Sequence, residues 1–110
     1  MSHLQGGIAV ITGAGSGFGL ECSRIAARLG MKVVMADVQA DALATAQAEI
    51  EVLGAPFGAD VLPFKLDVSK AAEVEALAAA TLQRFGVPNF VFNNAGVGAG
   101  GLIWEHTQKD

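Results

Sequence analysis

Residues 8–19, Ile8-Ala9-Val10-Ile11-Thr12-Gly13-Ala14-Gly15-Ser16-Gly17-Phe18-Gly19, decide how this chain folds. The run from Ile8 to Thr12 is short, apolar and bounded by a glycine loop, the pattern of a buried strand. Beyond the loop, Cys22, Ile25, Ala26 and Leu29 recur at helical spacing, which predicts a helix from about Gly17 to Leu29 with Gly30 as its stop. Strand, glycine turn and helix in that order set a helix N-terminus at the carboxyl end of the strand. Backbone amides there can reach a pyrophosphate only if no side chain intervenes, and the helix dipole favours negative charge. Gly13, Gly17 and Gly19 meet that need; read alone, a glycine cluster is equally what a tight turn requires. The spacing is Thr-Gly-xxx-Gly-x-Gly. The common dinucleotide fingerprint, with glycines at i, i+2 and i+5, is not met in this loop, where Phe18 and Leu20 stand at the last positions of the trios that begin at Gly13 and Gly15.

The alternation continues outward from this unit. Lys32 to Ala36 reads as a second strand, and Ala40 to Leu53 as a second helix with Leu43, Ala46, Ile50 and Leu53 on one face and Gly54 just past its end. Ala55 to Asp60 carries proline and glycine and reads as a loop. Val61 to Leu66 is a third strand, and Pro63, which has no amide to donate, confines it to a sheet edge. Strand order 3-2-1-4 puts the third strand at an edge. Ser69 is the expected cap of a third helix whose Val74, Leu77, Ala78, Thr81, Leu82 and Phe85 form a broad apolar stripe, ended by Gly86 and Pro88. Phe90-Val91-Phe92 is the fourth strand, followed by a glycine-rich loop and, at Thr107 to Asp110, the start of another helix. The fold class is α/β: a partial Rossmann-type, doubly wound parallel sheet in three αβα layers.

Polar residues fall where such a sheet binds ligands, at the carboxyl ends of strands. Asp37 follows the second strand, 18 positions beyond Gly19, where a carboxylate can accept both hydroxyls of an adenosine ribose. Asp67 follows the third strand and suits an adenine amino group or, equally, a helix-capping role. Asn93-Asn94 end the fourth strand and alone would read as turn residues.

Composition narrows the classes. At 110 residues the chain is one domain, and 52% hydrophobic residues with a mean hydropathy of +0.44 give it more apolar surface than its size needs. A net charge of −4 and 16% charged residues leave no basic patch for nucleic acid. No apolar run reaches membrane-spanning length, and residues 1–7 do not resemble a signal peptide. A single cysteine, Cys22, excludes an intrachain disulfide and fits a reducing, cytoplasmic setting. The two histidines, His3 and His106, lie far apart, so no metal site is expected.

Taken in order, Thr12–Gly19, Asp37, Asp67-Val68 and Asn93-Asn94-Ala95-Gly96 resemble the N-terminal half of the short-chain dehydrogenase/reductase family. The resemblance covers essentially the whole chain. It implies that Gly13, Ser16, Gly17, Phe18 and Gly19 hold the cofactor pyrophosphate and that Asp37 marks a preference for NAD. It further implies that Asp67 and Val68 hold the adenine, while Asn93, Ala95 and Gly96 support the central strands and touch the cofactor. The family's catalytic serine, Tyr-xxx-Lys pair and asparagine lie beyond the Asn-Asn-Ala-Gly segment. The chain has no tyrosine, so the expectation is one NAD(P)-binding half-domain over residues 1–110, truncated before the catalytic half and inactive alone. In the intact enzyme, hydride would pass between nicotinamide and an alcohol or carbonyl substrate. A homo-oligomer is expected, since the family's sheet continues past Phe90-Val91-Phe92 and would leave that strand with an unpaired edge. Two alternatives stay open: a non-catalytic nucleotide-binding module, and a fragment with no activity.

Other features read as structural. Cys22 is expected to face the sheet, Phe57 and Phe64 to join the core, and Trp104 with Leu102 and Ile103 to pack against the sheet. Glu49, Glu51, Glu73 and Glu75 read as solvated helix faces.

Overall fold

A computed structural model describes residues 6–67 and 69–93 of the chain. The strands are β1 (Ile8–Thr12), β2 (Lys32–Asp37), β3 (Asp60–Lys65) and β4 (Phe90–Asn93). The helices are α1 (Gly17–Arg28), α2 (Ala40–Gly54) and α3 (Ala71–Arg84), with a single 3-10 turn at Ala55–Phe57 after α2. All strand pairs are parallel and the order is β3-β2-β1-β4, which puts Pro63 on an edge strand. Pro63 stands opposite Met35 with only solvent-side pairing to lose.

Each face of the sheet carries its own core. On one side Ala9, Ile11, Val33, Met35 and Val61 meet Ala26 and Ala27 of α1 and Leu43, Ala46 and Ile50 of α2. On the other, Val10, Val34 and Ala36 meet Val74, Leu77 and Ala78 of α3. All five residues of β1 are buried, because helices cover both faces of the central strands. Truncating a fully buried side chain such as Ile50 would cost about 2–5 kcal/mol. Asn89 fixes the entry to β4: its amide donates to Ile8 O at 2.8 Å and its Oδ1 accepts from Ile8 N at 2.9 Å. The outermost pair of β1 and β4 is thus clamped by a side chain.

Several expectations are corrected. Ile25 is half-exposed, since the narrow seam of α1 is filled by Ser23, Ala26 and Ala27. Phe57 lies on the exposed 3-10 turn outside both cores, whereas Phe64 packs on the α3 side. Leu82 sits at the open margin of the α3 stripe. Gly54 is the last residue of α2 and not the one past it. Ser69 does not cap α3; Lys70 holds that position and makes no side-chain cap. Cys22 packs partly buried against the α1–α2 core, and burial pushes its thiol pKa up. The loop and helix start expected after Asn93, with Trp104, lie outside the described residues.

Candidate functional site

The glycine loop owes its shape to contacts that only glycine permits. Gly13 and Gly17 adopt positive φ values of 65° and 58°. A Cβ on Gly19 would lie 2.1 Å from Gly13 O, so the first turn of α1 presses directly on the start of the loop. The first bond of the α1 ladder runs from Leu20 N to Ser16 O, which puts the amides of Gly17, Phe18 and Gly19 ahead of it. Ser16 occupies the cap position without a side-chain cap bond, and the Phe18 ring is 78% exposed beside it. The loop therefore presents backbone donors at a helix N-terminus, a suitable anion site.

Asp37 ties this loop to the end of β2. Its Oδ2 accepts from Gly15 N at 2.8 Å, its Oδ1 from Gln39 N at 2.9 Å, and its backbone oxygen accepts from Leu66 N at 2.9 Å. Ala14 N donates to Ala36 O at 3.0 Å, continuing the β1–β2 pairing into the loop. Gly15 leaves no room for a side chain: a Cβ would meet Asp37 Oδ2 at 2.8 Å and the Ala42 Cβ at 3.1 Å.

Asp67, after β3, is held by a local network. Its Oδ1 accepts from Ser69 Oγ at 2.7 Å and Ser69 N at 3.0 Å. These two hydrogen bonds, the hydroxyl first, hold its carboxyl below the ordinary aspartate value. Its amide donates to Glu73 Oε1 at 2.9 Å, and its backbone oxygen accepts from Lys70 N at 3.0 Å. Lys70 Nζ lies 3.7 Å from Glu73 Oε2.

These segments converge on one cavity of about 100 Å³ at the carboxyl ends of the strands, lined by Thr12, Gly13, Ala36, Asp37, Val38, Leu66 and Asp67. Gly13, Asp37 and Asp67, named from the sequence, are thus brought together, with apolar walls at Ala36, Val38 and Leu66. Ser16, Gly17, Phe18 and Gly19 stand on the adjoining loop. Asn93 ends β4, paired with Thr12. Val68, Asn94, Ala95 and Gly96 lie outside the described residues. Sequence reasoning missed Gly15 and Glu73. The second glycine of the loop was the signal for the first. For the second it was an acidic residue in the first turn of the helix, four positions after the expected cap Ser69 and three after the observed cap Lys70, and Glu73 is not simply part of a solvated face.

The arrangement can seat an anion on the loop amides, a diol near Asp37 and a flat apolar ring between Val38 and Leu66. Comparison with known proteins bears on that shape. The profile of the short chain dehydrogenase family matches residues 7–110. The chain is similar to 1-deoxy-11-beta-hydroxypentalenate dehydrogenase of Streptomyces avermitilis, 43% identical over 86% of this chain and 34% of that protein. A short chain dehydrogenase/reductase from Burkholderia phymatum, solved in complex with NAD, superposes with a TM-score of 0.75 at 44% identity, covering 83% of this chain and 31% of that one. L-Sorbose reductase from Gluconobacter frateurii, solved with NADPH and L-sorbose, gives a TM-score of 0.75 at 33% identity, covering 84% of this chain and 34% of that one. The chain spans about a third of the length of the relatives it matches. Its strand order, glycine loop and sequence together make it a member of the short-chain dehydrogenase family.

Proposed function

We propose that these 110 residues form the NAD-binding portion of an oxidoreductase that moves hydride between a nicotinamide and an alcohol or carbonyl carbon. The observation that carries this reading is the placement of Asp37 in the strand-end cavity, fastened to the glycine loop. The residues fit a dinucleotide. Gly13 and the amides of Gly17, Phe18 and Gly19 would receive the pyrophosphate, Asp37 the ribose hydroxyls, Asp67 with Val68 the adenine, and Asn93, Ala95 and Gly96 the nicotinamide side. The bound nicotinamide supplies or accepts the hydride; the described chain binds, orients and sheds water from the adenine between Val38 and Leu66.

Asp37 favours NAD over NADP because a 2′-hydroxyl can donate to its carboxylate and a 2′-phosphate is repelled by it. No lysine or arginine stands at Ser16, Val38 or Gln39 to pair with that phosphate. Losing a charge-assisted hydrogen bond costs about 1.5–3 kcal/mol, so NAD should bind at least about tenfold tighter. Calorimetric titration of the chain with both cofactors tests this, and tighter binding of NADP overturns it.

No residue here is assigned the role of proton donor, whose general acid–base contribution is typically about 10²–10⁴-fold. The chain alone is therefore expected to bind NAD without turnover. Steady NADH formation or loss with a panel of alcohols and carbonyls would contradict that. A cytoplasmic setting, a small alcohol or carbonyl substrate and a homo-oligomer belong to the same proposal; among the described residues no helix is long and apolar enough to cross a membrane.

A further inference from the structure

Glu73 is the third residue of α3, where an acidic side chain ordinarily reaches back to the amide of the cap residue. Here the cap residue is Lys70, and its amide is already taken by Asp67 O. Glu73 reaches three residues further and accepts from the amide of Asp67 itself at 2.9 Å. Its other oxygen faces Lys70 Nζ at 3.7 Å, which orients the carboxylate from behind. The Asp67 backbone is thus held at its amide by Glu73, at its carbonyl by Lys70 N, and at its side chain by Ser69. Of these, the Glu73 bond is the one that reaches the segment from the body of the helix.

From this geometry we infer that Glu73 is a positioning residue for base selection: it holds Asp67 so that its carboxylate meets the amino group of an adenine in the strand-end cavity. The inference rests on the adenine-binding reading given above. Its chemistry follows from donor and acceptor types. An adenine presents a 6-amino donor to a carboxylate, whereas a hypoxanthine presents a 6-oxo acceptor that the carboxylate repels. An Asp67 held in place discriminates between the two; an Asp67 free to turn away does not. Glutamine at position 73 keeps a carbonyl oxygen at the same reach. Aspartate keeps the charge at the helix N-terminus but is one methylene too short, and alanine removes the acceptor.

The test is the ratio of dissociation constants for AMP and IMP, measured by calorimetry on the 110-residue chain and on the Glu73→Gln, Glu73→Asp and Glu73→Ala variants. Both ligands titrate the same folded population, so a loss of stability alone leaves the ratio unchanged. The unmodified chain and Glu73→Gln should prefer AMP, with ratios within about twofold of each other. Glu73→Asp and Glu73→Ala should lose about three- to tenfold of that preference, the scale of one hydrogen bond. A ratio unchanged in both Glu73→Asp and Glu73→Ala, with AMP still bound and preferred, overturns the role of Glu73 and leaves the cofactor reading standing. Failure of the unmodified chain to bind AMP or NAD overturns both. Loss of the preference in Glu73→Gln as well as in the others shows that charge, not reach, matters and also overturns the inference.

Discussion

Asp37 ends β2, Asp67 follows the neighbouring β3, and both line the same cavity, yet they are held in opposite ways. Asp37 takes one of its bonds from Gly15, 22 positions away, so its carboxylate fastens a distant loop. Asp67 takes both side-chain bonds from Ser69, two positions on, and its own amide is fastened by Glu73, six positions on. The difference follows from the sheet. The interior of β2 is buried throughout, which makes its end a rigid post from which a side chain can shape something else. The ends of β3 are exposed and its middle only partly covered, so the residue that follows it needs support from the next helix.

The contrast can be broken most forcefully from the loop. Gly19→Ala sets a methyl against the backbone oxygen of Gly13, an atom that cannot swing aside. Overpacking of this kind costs about 1–3 kcal/mol, and the urea midpoint should fall accordingly with an unchanged slope. A midpoint equal to that of the unmodified chain would show that the loop is not pinned against α1.

Next in size is the pair Asp37→Ala and Asp67→Ala, measured side by side. Asp37→Ala strands the Gly15 amide in a half-buried position and should cost about 1–2 kcal/mol of stability along with most of the preference for NAD over NADP. Asp67→Ala breaks only a local turn and should cost less than about 1 kcal/mol. Equal losses would erase the distinction between tertiary and local anchoring.

A third measurement concerns the other edge. Among the described residues β4 pairs with β1 alone, and Phe90, stacked on Phe92 with ring centroids 6.4 Å apart, is 43% exposed. An apolar sheet edge pairs readily with another chain and an edge lysine opposes it. Sedimentation of the 110-residue chain should show self-association that Phe90→Lys weakens; a clean monomer at millimolar concentration contradicts this.

The smallest effect is expected from acid. The Asp67 carboxyl is held below its ordinary value by the Ser69 bonds, so its folded-state pKa is the lower one. Such a group contributes stability that is present above the unfolded value, roughly 3.9, and is lost as pH falls through the folded value. Ser69→Ala should flatten that part of the acid unfolding curve. An unaltered curve below pH 4 would place the acid sensitivity elsewhere.

Much of this was readable from residue order. Pro63 alone assigned an edge to β3, and the glycine that ends α1 and the apolar periods of α1 and α2 fixed the layers to within a residue or two. Asp37 and Asp67 were legible because strand ends are where such sheets present polar groups. What escaped depended on three-dimensional reach. Gly15 reads as one more loop glycine until the Asp37 carboxylate is seen against it. Glu73 reads as solvated because helical period says nothing of a bond to a residue before the helix. Ser69 looks like a cap by type and position, but Asp67 competes for its amide and hydroxyl and α3 starts two residues later. Ile25 was misjudged because α1, packed on the sheet by alanines and a serine, needs a narrower apolar seam than its sequence offers, and Leu82 because the buried seam of α3 runs through Val74, Leu77, Ala78 and Thr81 and leaves it at the margin.

The bond from Gly15 to Asp37 has a consequence for anyone redesigning the cofactor choice of this chain. The carboxylate proposed to read the ribose also satisfies a loop amide, so selectivity and loop geometry are not independent dials. Exchanging Asp37 for a small or basic residue to admit a 2′-phosphate would leave that amide searching for water, and the glycine loop proposed to hold the pyrophosphate would relax along with it. A working conversion therefore has to supply a replacement acceptor for position 15, through a neighbouring side chain or the incoming phosphate itself. Natural drift between the two cofactors meets the same coupling, and substitutions at 15 and 37 should be tolerated together more readily than either is alone.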